Sequence, residues 1–142
     1  MMMTSEIETQ RILGKKASAM TRYFPGGQCT YKEGQVMDLC YDLGRGGPPK
    51  RFARIKVMNI TPMTVEERMA DNAMANKLRE SEGFSHQISW SKHLAERYGG
   101  MLGDSVVVHR IGFTVEEIYS DKPKKTEEEI RKERYREALR NI

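Results

Sequence analysis

The sequence predicts an α+β domain built on a small barrel or curled sheet, and three features predict it. The segment Lys50–Ile60, "KRFARIKVMNI", alternates as a half-buried strand does. Val106–Tyr119, "VVVHRIGFTVEEIY", is the longest apolar stretch and opens on β-branched residues. Between the two lies a helical insertion, and strands split by helices in a chain of 142 residues point to a mixed architecture.

The elements follow in order. Ile7, Ile12 and Leu13 stand among polar residues in Ser5–Leu13, a short helix capped by Thr4 or Ser5 and ended by Gly14. Gly14–Arg22, "GKKASAMTR", sets two lysines behind a glycine, then small and hydroxyl residues, then an arginine. A frayed helix end fits it, and so does a binding or catalytic segment. Pro25-Gly26-Gly27 marks a turn, and Glu33-Gly34 starts a strand carrying Val36, Met37, Leu39, Cys40 and Tyr41. Gly44–Pro49, "GRGGPP", is a loop. In Lys50–Ile60, Phe52, Arg54, Lys56 and Met58 are expected on one face, and Ala53, Ile55, Val57 and Asn59 on the other, which gives the strand a basic outer face.

Thr61–Glu80 reads as one helix, because Thr64 with Glu67 forms a capping box and Val65, Met69, Ala73, Met74 and Leu78 recur at helical spacing. A second helix covers Ile88–Tyr98, with Ile88, Leu94 and Tyr98 inward and Gly99-Gly100 ending it. Thr114–Glu117 repeats the capping-box pattern, so the second half of Val106–Tyr119 is open to either state; strand is favoured for the whole. From Asp121 the chain is almost wholly charged, with Thr126 and Glu129 capping a helix whose apolar stripe is narrow. The domain is therefore placed at 5–119 and a charged helical tail at 120–142. The tail is either a solvated helix or a surface for a protein partner.

Composition narrows the class. With 38% hydrophobic and 31% charged residues the chain supports one modest core, and no run approaches the roughly eighteen apolar residues of a spanning helix. "MMMTSEIETQ" carries acids where a signal peptide carries bases. Cys29 and Cys40 lie too far apart for a CxxC motif and read as free thiols in a reducing compartment, so a cytoplasmic protein without membrane association is expected. The net charge of +4 permits an anionic partner without demanding one.

Candidate sites stand beside plainer readings. His86, His93 and His109 show no metal-ligand spacing, so no metal or other cofactor is expected. The loop Gly44–Arg51 lacks the GK[ST] of a phosphate loop and reads as a connection, although Arg45, Lys50 and Arg51 suit an anion. Tyr23, Phe24 and Trp90 stand near Arg22, Lys92 and Arg97 and are candidate stacking platforms for bases; Trp90 also suits a core position. Lys16, crowded by Lys15 and Arg22, has the makings of a base or nucleophile, and Glu82, just after a helix, of a proton-transfer group. Surface residues read the same way.

Three segments resemble the ASCH domain, a branch of the PUA-like superfamily. They are "ILGKKASAMTR" (Ile12–Arg22); "KEGQVMDL" (Lys32–Leu39) with "ARIKVMNITPMT" (Ala53–Thr64); and "ESEGFSHQISWSKHLAERYGG" (Glu80–Gly100) leading to "VVVHRIGF" (Val106–Phe113). The resemblance implies a small PUA-like mixed β-barrel with flanking helices, and a cleft between the glycine-lysine segment and the EGF triplet. It also implies an RNA or nucleoside ligand. Some small members remove the acetyl group from N4-acetylcytidine with a lysine, a threonine and a glutamate. Lys16 and Glu82 match two of these, and Arg22 is the segment's arginine, placed to hold an anionic group. The family spacing puts the threonine at Ala19, flanked here by Ser18 and Thr21.

The leading expectation is an RNA- or nucleotide-binding module, with Lys15, Lys16, Arg22 and Tyr23 at the cleft, Trp90 as a platform, and Arg54 and Lys56 on a basic strand face. The alternatives are an amidohydrolase acting through Lys16, Glu82 and Ser18 or Thr21 on an acylated cytidine, and an accessory protein that binds a partner through residues 121–142.

Overall fold

A single curled sheet of five strands, a half-barrel, carries the fold in the order β1-β3-β4-β5-β2. The computed structural model describes residues 1–41, 49–119 and 127–140, and within the last stretch not the side chains of residues 127–130 and 133. The strands are β1 (Met2–Thr4), β2 (Ala19–Arg22), β3 (Val36–Tyr41), β4 (Lys50–Thr64) and β5 (Val107–Ile118). The helices are α1 (Glu6–Leu13), α2 (Val65–Met69), α3 (Ala73–Ser81), α4 (Gln87–Tyr98) and α5 (Glu127–Arg140). The loop at Gly44, with Arg45, and the Thr126 cap fall outside the described residues. None of the helices described is long and apolar enough to cross a membrane.

β4 and β5 pair antiparallel over nearly their whole lengths and form the spine of the sheet. Alternation along β4 breaks where Phe52 is inserted opposite the Leu39–Cys40 step. This bulge turns two consecutive side chains inward, so Phe52 and Ala53 are both fully buried rather than on opposite faces. Beyond it Arg54 and Lys56 return to the outer face and Ile55 and Val57 to the core. β4 also runs on through Pro62 to Thr64. There β3 no longer lies beside it, so the missing N–H of Pro62 interrupts no ladder.

The concave face holds Met20, Leu39, Phe52, Ile55, Val57, Ile111 and Phe113, closed by Ile12 of α1. Ser5 begins α1 with a full capping box, its side chain accepting from Glu8 N while the Glu8 carboxylate accepts from Ser5 N. β1, which the polar N-terminus did not advertise, lies parallel to β3.

The single helix expected over Thr61–Glu80 is two helices at an angle. The capping box at Thr64 forms, but Ala70 adopts extended backbone and Asn72 starts α3 by accepting from Ala75 N. The carbonyls orphaned at the break, those of Arg68 and Ala70, accept from Arg79 Nη1 at 2.7 and 3.1 Å. The expected stripe is thus displaced: Met74 is exposed, and Ala75 and Arg79 are buried. In α4 the buried residues are Trp90 and Leu94. Ile88, two positions from Trp90 and so on the opposite side of the helix, faces solvent rather than the core.

Gly83 links α3 to α4 with φ +85°, and a Cβ built there lies 2.5 Å from Cδ of Arg11. Gly99, the left-handed cap of α4 at φ +73°, has open space around it. An L-residue in this region costs about 1–2 kcal/mol. Gly99→Ala is therefore expected to lose about that much in urea denaturation, and Gly83→Ala measurably more, because Arg11 must also be displaced. Equal losses contradict this packing.

Candidate functional site

β2 is an edge strand, and its alternation decides which of its residues meet which helix. Thr21 faces Arg110 of β5 across the ladder and projects with it toward α2 and α3; Arg22, one residue on, projects to the other face, toward α1. Each anchors a buried charge cluster.

On the first face, Thr21 Oγ1 donates to Glu82 Oε1 at 2.5 Å and accepts from Arg68 Nη1 at 3.0 Å. Arg68 Nη2 closes the triangle on Glu82 Oε2. Arg68 is wholly buried, with its guanidinium 4.8 Å from the Trp90 ring centroid. On the second face, Glu8 receives Arg22 Nη1 at 2.7 Å and Arg97 Nη1 at 3.2 Å, with His93 Nε2 at 3.8 Å. Burial by itself raises the Glu8 pKa, but Arg22 foremost, with His93 and Arg97, outweighs it and holds the carboxyl far below the usual range.

The predicted residues separate accordingly. Glu82 and Thr21 are brought together, and Ser18 is not part of the pair: it is exposed, its N–H donating to Ser81 O at 2.7 Å. Ala19, two residues before Thr21, lines the same small cavity as Glu82. Thr21, two residues on and so on the same face of β2, supplies the hydroxyl that meets Glu82. Lys15 and Lys16 are exposed; the cation bonded to Glu82 is Arg68. Arg22 is 4% exposed and committed to Glu8, so the anion it holds is internal. Trp90 is 1% exposed and belongs to the core with Val65, Phe84, Leu94 and Val108, so its ring faces are closed to a base. Tyr23 is half-buried, packed edge-on against Tyr98 and donating its backbone N–H to Tyr98 Oη at 2.7 Å.

Arg54 is exposed and lies 3.5 Å from Asp38, which also accepts from Tyr119 Oη at 2.8 Å. Lys56 is exposed on the same outer face. The sequence reading missed Arg68, Arg110 and Glu8. For Arg68 nothing in the pattern signalled burial, since it looks like a solvent-facing position of one long helix. For Glu8 the signal was present in the Ser5-x-x-Glu8 capping box.

Two cavities flank the clusters. One of about 10 Å3, room for about one water, is lined by Glu8, Ile12, Ala17, Ala19, Met20, Glu82 and Phe84. A groove of about 430 Å3 between α1 and α4 is lined by Ser5, Glu6, Ile7, Gln10, His93, Glu96 and Arg97, none of them a predicted site residue. Among the described residues no group of three or more His, Cys, Asp or Glu stands close enough to hold a metal.

No family model matches the chain, and no curated protein matches it in sequence. Solved structures do match in fold. A DUF984 protein of Enterococcus faecalis V583 is 15% identical over 78% of this chain and 71% of its own, with a TM-score of 0.51. An ASCH domain from Lactobacillus crispatus JV V101 is 12% identical over 80% and 79%, at 0.51. The hypothetical protein PH0355 is 15% identical over 80% and 95%, at 0.52. The curled five-stranded sheet with its helices is the ASCH/PUA-like fold.

Removing one partner of a buried ion pair costs about 3–5 kcal/mol, because the other is left unpaired. Arg68→Met and Glu82→Leu are each expected to lose about that much in urea denaturation, and the double variant Arg68→Met/Glu82→Leu to lose clearly less than the sum of the two. Additive losses contradict the pairing.

Proposed function

We propose that the chain is an RNA- or nucleotide-binding module that receives its ligand on the outer face of the β4–β5 pair. Cross-strand partners project from the same side of a sheet. Lys56 with Thr114, Asn59 with Gly112, and Thr61 with Arg110 therefore form one surface. Lys56, Asn59, Thr61 and Thr114 on it are exposed. The observation that carries the reading is the charge on this surface. Its acids, Asp38 and Glu117 with exposed Glu116 beside it in β5, gather at the Arg54 end, while from Lys56, paired with exposed Val36, to Arg110 the cross-strand pairs carry no exposed carboxylate among the described residues. A polar strand face with cations and, over that stretch, no exposed acid suits the phosphates of a nucleic-acid strand, and the fold and the net charge of +4 support the same reading.

A second reading, hydrolysis of N4-acetylcytidine or a similar acylated nucleoside, is favoured by the Thr21–Glu82 hydrogen bond of 2.5 Å. In that reaction Glu82 transfers the proton, Thr21 assists, and Lys16 is the base or nucleophile. Binding is put first because Arg68 already takes the second oxygen of Glu82 and the cavity beside it holds about one water.

Filter binding of single-stranded RNA at several salt concentrations tests the proposal. Affinity is expected to fall linearly on a log–log plot as salt rises, and to weaken in Lys56→Gln. Absence of salt-dependent affinity overturns it. Release of cytidine from N4-acetylcytidine that disappears in both Lys16→Ala and Glu82→Ala puts the second reading in its place.

A further inference from the structure

Arg110 is the half-buried cation of the outer face, and its bonding is incomplete. It stands in β5 between Thr21 and Thr61, half-buried at the point where the exposed strand face meets the end of α3. Nη1 donates to Asn59 Oδ1 at 3.2 Å and Nη2 to Ser81 Oγ at 2.9 Å. Both acceptors are neutral, and Nε is buried with no partner. A guanidinium has five N–H donors, so each terminal nitrogen of Arg110 keeps a hydrogen for another acceptor.

The charge beneath it is also unbalanced. Glu82 is neutralised by Arg68. Arg79, 3% exposed, is bonded to the carbonyls of Arg68 and Ala70 and to the Asn76 side chain, all neutral. Arg68, Arg79 and Arg110 thus share one carboxylate among the described residues. Burial, with Arg68 adding to it and Glu82 opposing it, presses the Arg110 pKa below its ordinary value. A guanidinium in that position is stabilised by an anion brought to it from solvent.

The surroundings decide what kind of anion fits. Gly112 leaves the sheet bare beside Arg110: a Cβ there lies 2.5 Å from Asn59 Oδ1. The Asn59 side chain therefore lies flat across the strand, its oxygen held by Arg110 and its amide nitrogen left as a donor. A forked guanidinium beside a neutral amide donor matches the oxygens of a phosphate.

We propose that Arg110, with Asn59 beside it, is a phosphate-binding site that fixes one phosphate of the nucleotide strand at the end of the β4–β5 face. This rests on the nucleic-acid reading above for the source of the phosphate, and on the side-chain geometry alone for the phosphate itself.

The test is fluorescence anisotropy of a labelled single-stranded RNA octamer across a salt series, run with thermal unfolding in inorganic phosphate or in cytidine 5′-monophosphate against cytidine. The variants are Arg110→Gln and Asn59→Asp; the second places a carboxylate against the fork without changing side-chain shape, and it stands in if Arg110→Gln fails to fold. Each is expected to weaken RNA binding on the order of 10-fold and to reduce the salt slope by about 0.7, the loss of one phosphate contact on a single strand. Wild-type binding that neither variant alters overturns the phosphate site and leaves the nucleic-acid reading standing. Stabilisation of the wild type by phosphate and the monophosphate, lost in the variants, with no RNA binding, supports the site and overturns the RNA source. Neither RNA binding nor stabilisation by phosphate overturns both.

Discussion

The triangle of Thr21, Glu82 and Arg68 is the constraint on which the arrangement of the helices depends. It joins an edge strand, the turn after α3 and the short helix α2, three elements with little apolar surface of their own. A buried carboxylate without its guanidinium is costly, and so is the converse, so the two must meet. That requirement fixes where the chain breaks between α2 and α3: Arg68 must reach inward, and Arg79 then satisfies the carbonyls that the break exposes. Trp90 beneath Arg68 brings α4 into the same assembly.

The neighbouring residue performs the same task on the other side of the strand. Arg22 draws in Glu8, which also receives Arg97 from α4, so α1 and α4 are clamped around the edge that β2 would otherwise present to solvent. The EGF triplet gains a physical meaning from these contacts. Glu82 closes the triangle; Gly83 takes the left-handed backbone that lets Arg11 pass, and Phe84 carries the Arg11 guanidinium 4.1 Å from its ring centroid.

Much of the architecture was legible in the residues. The alternation of Lys50–Ile60, the β-branched start of the last strand, the capping box at Thr64 and Gly99 all correspond to elements that form, because each is a local signal with a local cause. The break at Ala70 was not legible, since it is set by Arg68 and Arg79, whose partners lie elsewhere in the chain. The bulge at Phe52 was hidden for the same reason, as only its pairing with β3 shows it. At the candidate site, the sequence offered Glu82 with Ser18 or Thr21, while the spacing of the resembled family fell on Ala19. Choosing Thr21 over Ser18 needed the strand register, and Trp90 went inside because α4 buries that side. Arg110 carried no sequence signal, since within a strand of mixed character its exposure depends on the end of α3.

Taken together, the clusters around Glu82 and Glu8 are buried on the two faces of β2, and the proposed ligand surface lies outside them, with Lys56 and Arg110 on the outer face of β4 and β5. Mapping amide chemical shifts by NMR while titrating single-stranded RNA into the protein addresses this directly. The account predicts that perturbations concentrate at Lys56, Asn59, Thr61, Ser81 and Arg110. Perturbations centred instead on the α1–α4 groove at Gln10, His93 and Glu96 contradict it.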